Sequence, residues 1–303
     1  MTNYKLPKFF IPVKGGLGNQ MFFYAFSFYL KNNGFKTHLI WNEFVFTKQH
    51  NGVELFEVFN IPVNVITKNK INFLVKLNKS QIPFIFKRVL GRVFKGKYIL
   101  MQKHKQASPY TFENFTEYKN VKKIYADGFW QNYKYLESIR GELLESYRFK
   151  LPANFSNEDY LKKIKNSNSV SIHIRRGDYL DPKFADLNVI RSKDYYLRAL
   201  EFIKDKVENP IFFIFTDDLA WAKKEFDSEN FVFIEGNENK KAYLDMYLMS
   251  ECKHNIIANS TFSWWGAWLN TNPFKIVIVP DFWTLQTLSS ELCPPEWILL
   301  KTN

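Results

Sequence analysis

The residues best suited to chemistry form one short run at positions 173–179, His-Ile-Arg-Arg-Gly-Asp-Tyr. The run closes a predicted buried strand, where charged side chains are unfavourable unless they have partners. Guanidinium groups bind phosphates through paired hydrogen bonds, so the run predicts an anion site in which Asp178 orients an arginine or acts as a base. A surface salt-bridge cluster is the alternative, which the strand-end position disfavours. The candidates are His173, Arg175, Arg176, Asp178 and Tyr179.

A second run, at 259–266, follows a predicted strand and opens a predicted helix with Ser260 as a suitable N-cap. The N-terminus of a helix carries free N–H groups and partial positive charge, and therefore binds phosphate well. Simple capping, with Trp264 and Trp265 in the core, explains the run equally well. The candidate binding residues are Asn259, Ser260, Thr261, Ser263 and Trp264.

A glycine-rich turn at 15–20 separates a predicted strand from a predicted helix. It lacks the spacing of the dinucleotide fingerprint and the Lys-Ser/Thr of a P-loop. A phosphate loop and a tight turn that brings polar side chains to a ligand are equally good interpretations. The candidate residues are Gly16, Gly18, Asn19 and Gln20.

Carboxylates follow two further predicted strands. Asp217 and Asp218 can accept hydrogen bonds from a base or ribose, or one of them can cap a helix. Asp127 begins a run at 127–131 whose aromatic residues either stack on a sugar or belong to the core. Adjacent carboxylates diverge and the five histidines lack ligand spacing, so we predict no metal site. Arginine and a helix N-terminus must then supply the positive charge for any diphosphate.

These runs lie in an alternating pattern of short apolar segments and helical periodicity. In the first part of the chain, strands are predicted at 9–13, 36–41 and 122–126, and helices at 21–30 and 133–147. In the second part, strands are predicted at 169–174, 211–215, 231–234, 255–258 and 276–279, and helices near 192–208, 218–226, 240–252 and 261–270. This alternation predicts an α/β protein with parallel sheets and ligands beyond the carboxyl ends of the strands.

Composition limits the class of protein. The 303 residues are 46% apolar, which disfavours disorder, and two cysteines exclude a disulfide scaffold. We find no signal peptide and no apolar run of the roughly 20 residues that span a bilayer, and expect a cytoplasmic protein. A boundary near 151–154 predicts two domains, 1–153 and 154–303.

The net charge of +12 is concentrated in one segment, 58–112, which holds eleven Lys and Arg residues and no Asp or Glu. Within it, the apolar spacing predicts a helix over 82–94. Such a basic amphipathic helix either lies on an anionic membrane at the inner face, with contacts through 68–105, or is a solvated face over an ordinary core helix. A lipid-linked glycan substrate would suit the first interpretation.

Taken together, the motifs at 15–22, 173–179, 215–218 and 255–270 resemble those of glycosyltransferase family 11, the α-1,2-fucosyltransferases that use GDP-fucose. The resemblance runs from about residue 9 to 283 and leaves 58–112 unmatched. It implies a GT-B fold, in which two Rossmann-like domains face each other across a cleft. The first is expected to take the acceptor and the second GDP-fucose.

The resemblance also implies an inverting transfer of fucose, without metal or other cofactor, to the 2-hydroxyl of a galactose-terminated oligosaccharide or lipid-linked glycan. Arg175 would contact the β-phosphate, His173 would lie near the donor, Asp178 would hold the loop, and the helix start at Ser260 and Thr261 would bind the diphosphate. Asp178 and Asp127 are the candidate general bases, with Glu43 behind them.

Two other classes of function stay open. The basic charge alone would suit a nucleic-acid binder, but the basic segment contains no recognised nucleic-acid motif, so no nucleic-acid partner is expected. A catalytically inactive sugar-nucleotide-binding module is disfavoured because Arg175, Asp178 and Ser260 are all present. Neither the oligomeric state nor the acceptor follows from the sequence.

Overall fold

The chain folds into two compact units, Met1–Arg148 and Phe149–Asn303. The computed structural model describes residues 6–41, 51–61, 65–66, 97–101, 115, 121–180 and 190–302, with only the backbone described at 65–66, 97–101 and 178. The units meet in the sequence a few residues before the boundary expected at 153/154. The expected helix at 82–94, most of the basic segment 68–105, and Glu43 lie outside the described residues.

Unit 1 is built on a parallel five-stranded sheet in the order β3-β2-β1-β5-β4. Its strands are β1 (Lys8–Val13), β2 (Lys36–Trp41), β3 (Val65–Ile66), β4 (Lys97–Met101) and β5 (Lys123–Asp127). Its helices are α1 (Leu17–Asn32), α2 (Leu55–Val58), α3 (Lys134–Glu137) and α4 (Arg140–Ser146).

Aromatic packing holds α1 against the segment that follows β5. Phe26 stacks on Trp130, with ring centroids 4.3 Å apart and an interplanar angle of 3°, and both rings are fully buried. The strands predicted at 9–13, 36–41 and 122–126 are confirmed. Helix α1 begins at Leu17 rather than Met21, because Gly16 is its extended N-cap. The single helix predicted over 133–147 is wrong, since Ile139 leaves helical geometry and divides it into α3 and α4.

Unit 2 contains a parallel six-stranded sheet and a small hairpin. The sheet strands are β6 (Asn168–Ile174), β7 (Pro210–Thr216), β8 (Phe231–Phe233), β9 (His254–Ile256), β10 (Val277–Pro280) and β13 (Ile298–Leu300), and the hairpin is β11 (Phe282–Thr284) with β12 (Thr287–Leu288). The helices are α5 (Glu158–Lys165), α6 (Lys193–Lys206), α7 (Leu219–Glu225), α8 (Tyr243–Glu251) and α9 (Thr261–Leu269).

The order of this sheet, β8-β7-β6-β9-β10-β13, is that of a Rossmann fold. All five predicted strands and four predicted helices are confirmed within a few residues. The sequence prediction missed α5, the hairpin and the edge strand β13. Strand β6 is buried at every position after Asn168, since apolar clusters cover both faces of the sheet. The predicted α/β class is therefore confirmed.

No helix among the described residues is long and apolar enough to cross a membrane. The proposed membrane contact of the basic segment stays a prediction.

A buried polar chain links α8 to the start of α5. Asn157 Nδ2 donates to Asn237 Oδ1 at 2.8 Å, and Asn237 Nδ2 donates to Asp245 Oδ1 at 2.7 Å. Burial, with a smaller contribution from the charge of Glu238, raises the pKa of Asp245 to about 7. The folded state therefore holds this proton more tightly than the unfolded chain, whose carboxyl has its ordinary pKa of 3.8. Its contribution to stability is full below pH 4 and is lost as the pH rises toward 7.

We expect Asp245→Asn to remove this loss, because the amide oxygen still accepts from Asn237 and cannot ionise. At pH 8 the melting temperature should rise by about 2–4 °C, which corresponds to roughly 1 kcal/mol. Thermal melts of both proteins between pH 4.5 and 8 test this, and the difference should shrink as the pH falls. A difference that does not change with pH, or a less stable variant at pH 8, would contradict the assignment.

Candidate functional site

The candidate residues of unit 2 lie where its strand order reverses. The chain leaves β6 toward β7 on one side and leaves β9 toward β10 on the other, so a crevice opens beyond the carboxyl ends of β6 and β9. Residues 175–177, here called the arginine turn, follow β6 directly. Residues 257–260 follow β9 and lead into α9. Both predicted runs therefore meet at the switch point of one sheet, where open α/β sheets bind ligands.

The register between β6 and β7 pairs two arginines with two aspartates. Ile174 lies opposite Thr216, so the next residues of each strand continue side by side. Arg175 Nη1 lies 2.7 Å from Asp217 Oδ2, and Arg176 Nε lies 3.1 Å from Asp218 Oδ2. The anion-site residues therefore also form the salt-bridge cluster that was their alternative. The adjacent carboxylates diverge, as expected, and each meets its own guanidinium.

Asp217 also fixes the backbone of the arginine turn. Its second oxygen, Oδ1, accepts the Arg176 N–H at 2.8 Å. A Cβ on Gly177 would lie 2.9 Å from Asp217 Oδ2, closer than side-chain contacts allow. Glycine at this position therefore lets the carboxylate approach the turn, and any larger residue would displace it.

The two arginines have different surroundings. Arg176 is fixed on two sides, since its guanidinium carbon lies 4.1 Å from the Trp221 ring centroid and its Nε bonds to Asp218. Asp218 Oδ1 in turn accepts the Trp221 N–H and caps α7, which was one of the two predicted roles of this residue. The Arg175 side chain is 31% exposed, whereas that of Arg176 is 19% exposed, so Arg175 is the more accessible cation of the pair.

His173 lies under the arginine turn and is only 6% exposed. Its backbone carbonyl accepts the Tyr196 hydroxyl at 3.2 Å, and its ring centroid lies 5.9 Å from that of Phe262. Within the described part of the chain, His173 Nδ1 has no hydrogen-bond partner. Burial, and then the positive charge of Arg175, move the pKa of His173 well below its ordinary value. The imidazole is therefore neutral at physiological pH.

The start of α9 is tied to the arginine turn through Tyr179. The Tyr179 hydroxyl donates to the Asn259 carbonyl at 2.8 Å, and the Arg175 guanidinium carbon lies 5.8 Å from the Tyr179 ring centroid. Ser260 caps α9, with Oγ accepting the Phe262 N–H at 3.3 Å, as the sequence predicts. Thr261 is partly exposed at the first helical position.

Two of the predicted binding residues in α9 face the core. Trp264 and Ser263 are fully buried. The Trp264 ring packs against three other indoles, those of Trp265, Trp268 and Trp297. This is the core-packing alternative that the sequence left open, and it leaves ligand contact at this end of α9 to the residues before Ser263.

The candidates of unit 1 lie at the carboxyl ends of two neighbouring parallel strands, β1 and β5. Lys14 directly follows β1 and contacts the end of β5. Its Nζ lies 3.0 Å from Asp127 Oδ1 and 4.7 Å from the Phe129 ring centroid. The Asp127 side chain is 18% exposed. Gln131 Nε2 donates to Asn19 Oδ1 at 2.8 Å, which connects the run after β5 to the glycine turn. The run that begins at Asp127 is thus joined to Lys14 at one end and to Asn19 at the other.

Gln20 holds the glycine turn from inside the protein. It is fully buried; its Nε2 donates to the carbonyls of Gly15 and Gly52, and its Oε1 accepts the N–H groups of Glu54 and Leu55. These four bonds use the whole capacity of a carboxamide. The Gln20 side chain is predicted to contact substrate, but in the structure it hydrogen-bonds only to backbone groups of the protein itself. Gly16 caps α1 without a side chain, and Gly18 is buried in its first turn.

Sequence reasoning missed three residues of these sites. Lys14 could have been found because it directly follows a predicted strand. Trp221 gave no signal beyond ordinary helix packing. Arg191 is a buried arginine whose Nε donates to Asn259 Oδ1 at 3.2 Å, and only the folded structure reveals this contact.

Asp178 begins a short 3-10 helix after the arginine turn. Among the described residues, no group of three His, Cys, Asp or Glu side chains could hold a metal ion.

Comparison with known sequences gives a family match over almost the whole chain. The profile described as Glycosyl transferase family 11 matches residues 8–301. The O-antigen biosynthesis glycosyltransferase WbnK of Escherichia coli is 33% identical over 95% of this chain and 99% of its own length. An alpha-1,2-colitosyltransferase of Escherichia coli is 32% identical over 95% of this chain and 97% of its own.

Among solved structures, a mutant of Arabidopsis thaliana FUT1 in complex with GDP is similar in fold. The match has a TM-score of 0.53 at 13% identity, and covers 96% of this chain and 73% of that one. At this identity the likeness concerns the fold alone. It agrees with the two Rossmann-like units described above, and the GT-B-like class predicted from the sequence is confirmed.

We expect the His173 imidazole to stay neutral from about pH 5 to pH 8, since burial and the Arg175 charge oppose its protonation. Proton–carbon NMR of the histidine rings should show a signal that does not shift over this range and that disappears in His173→Gln. A His173 signal that titrates with a midpoint near its ordinary value of 6.5 would contradict this account.

Proposed function

Since the chain belongs to glycosyltransferase family 11, we propose that it transfers L-fucose from GDP-fucose to the 2-hydroxyl of a terminal galactose in a glycan. Unit 2 takes the donor and unit 1 the acceptor in this proposal. Two curated mammalian relatives support the reaction, since they carry the names galactoside 2-alpha-L-fucosyltransferase and galactoside alpha-(1,2)-fucosyltransferase.

One observation carries the proposal: the arginine turn and the start of α9 meet at the switch point of the second sheet. This arrangement offers a diphosphate a guanidinium from one side and a helix N-terminus from the other. Both groups favour anions, and neither requires a metal ion. Asp217 keeps Arg175 in place before the donor arrives.

The chemistry we propose is a single displacement with inversion at the anomeric carbon. The acceptor oxygen forms the new bond to this carbon while the bond to the β-phosphate oxygen of GDP breaks, through an oxocarbenium-like transition state. Negative charge grows on the departing diphosphate. Arg175 and the first-turn N–H groups of α9 stabilise this charge, and donors placed in advance in this way contribute about 3–4 kcal/mol each.

The acceptor hydroxyl must lose its proton during the transfer, and we propose Asp127 as the group that accepts it. Asp127 ends β5, the strand next to β1 in unit 1, and its partly exposed carboxylate is held by Lys14. His173 is a poor base in this role, since its pKa is lowered. Asp178 directly follows the arginine turn, and we assign it to holding the loop.

A second donor sugar has specific support. One relative of nearly full coverage is named as an alpha-1,2-colitosyltransferase. Colitose differs from fucose in lacking the 3-hydroxyl group. A pocket that hydrogen-bonds this hydroxyl would discriminate strongly against the deoxy sugar, whereas a purely apolar pocket would not.

The direct test is to incubate the protein with GDP-fucose and a panel of β-galactosides, and to determine the linkage of any product. We expect an α-1,2-linked fucose, formed equally well with and without EDTA. GDP-colitose, tested in parallel, decides between the two donors. A product with another linkage, or loss of activity in EDTA, would contradict the respective part of the proposal.

Arg175→Ala should lower kcat by at least about a hundredfold with the fold intact, because the growing charge on GDP loses its main cation. Steady-state kinetics with GDP-fucose measure this effect. The matched control is Arg148→Ala, which removes a 72% exposed surface arginine and should leave turnover unchanged. An Arg175 variant with turnover near that of the wild type would exclude Arg175 from the site.

Asp127→Asn should lower kcat by about 10²–10³-fold, as loss of a general base does, while the affinity for GDP stays the same. Asp194→Asn is the control, since it removes a 62% exposed carboxylate of unit 2. If Asp127→Asn keeps its turnover and Asp178→Asn loses it together with the acidic limb of the pH profile, the base is Asp178.

A further inference from the structure

Arg191 is a buried cation that the mechanism above does not use. It precedes α6 in unit 2, and only 2% of its surface is exposed. A guanidinium keeps its proton in proteins, so this residue places a full positive charge inside the unit.

The partners of Arg191 in the structure are neutral. Its Nε donates to Asn259 Oδ1 at 3.2 Å, and its Nη2 donates to the Phe282 carbonyl at 2.8 Å. In the part of the chain that the structure describes, no carboxylate lies within ion-pair distance of it. The charge of Asp281 acts on Arg191 only from beyond ion-pair distance. A buried charge that no ion pair offsets is unfavourable for stability alone, which points to a role with an anion.

The hydrogen bonds of Arg191 converge on the start of α9. Asn259, which it holds, donates through Nδ2 to the Trp283 carbonyl at 3.0 Å and accepts the Tyr179 hydroxyl on its own carbonyl. Arg191 and Asn259 thus join the hairpin strand β11 to the residue before Ser260. The position of the α9 N-terminus relative to the arginine turn depends on this junction.

We propose that Arg191 is a positioning residue for a nucleoside diphosphate: it fixes Asn259 and the start of α9, and its buried charge favours an anionic ligand there. The proposal rests on the proposed function, since it presumes that GDP binds at this switch point. A purely structural arginine would support the fold without distinguishing a charged ligand from a neutral one.

The test uses calorimetry to compare the binding of GDP with that of guanosine, the same nucleoside without the phosphates. In Arg191→Gln we expect GDP to bind at least about tenfold more weakly, the size expected for hydrogen bonds to a charged group, with guanosine affinity changed less than about threefold. Arg191→Lys keeps the charge but cannot bridge both oxygens, so it should recover part of the GDP affinity.

Ile203→Val is the control for a general loss of stability. It trims a fully buried side chain of α6, the helix that follows Arg191, and should lower the melting temperature without changing either affinity. Should Arg191→Gln not fold, Arg191→Lys carries the test through its selective loss of GDP relative to guanosine.

The outcomes separate the two proposals. Equal weakening of GDP and guanosine, or unchanged GDP affinity in both Arg191 variants, overturns the role of Arg191 and leaves the proposed function standing. A wild-type protein that binds neither GDP nor GDP-fucose overturns the proposed function, and the inference about Arg191 with it.

Discussion

The parallel register of β6 and β7 is the constraint on which the candidate site depends. Ile174 pairs with Thr216, so the two arginines that follow one strand lie beside the two aspartates that follow the other. Arginine at the mouth of a buried sheet requires such partners, because an unpaired charge there is unfavourable. The ion pairs also leave the two arginines with different roles. Arg176 is fixed against Asp218 and Trp221, and Arg175 stays the more accessible.

Both units place their polar residues by the same rule. In each sheet the polar candidates lie at the carboxyl ends of the first strand and of a parallel neighbour, which is β9 in unit 2 and β5 in unit 1. In unit 2 these are the arginine turn and the residues before α9. In unit 1 they are Lys14 and Asp127. Because this rule needs only the positions of strand ends, the sequence pattern could predict where the candidate residues would cluster. Buried strands such as β6, bounded by polar turns, also made the elements themselves predictable.

What the sequence could not predict are contacts that depend on tertiary packing. No neighbouring residue in the sequence indicates that the Gln20 carboxamide hydrogen-bonds to four backbone groups, or that Trp264 packs in an indole cluster. The edge strand β13 has only three residues and is only partly buried, so its apolar run is too short to mark a strand as those of the central strands do. The buried state of Arg191 likewise arises from residues distant in the sequence, Asn259 and Phe282, which fold around it.

We propose that a nucleoside diphosphate binds at the switch point of unit 2 rather than at the glycine turn of unit 1. Both places offer a helix N-terminus, α9 in one and α1 in the other, but among the described residues only the first has an accessible guanidinium beside it. A crystal structure of the protein with GDP would decide between them. The account predicts the diphosphate within hydrogen-bond distance of Arg175 and of the first-turn N–H groups of α9. A diphosphate seated on residues 15–18 would contradict it.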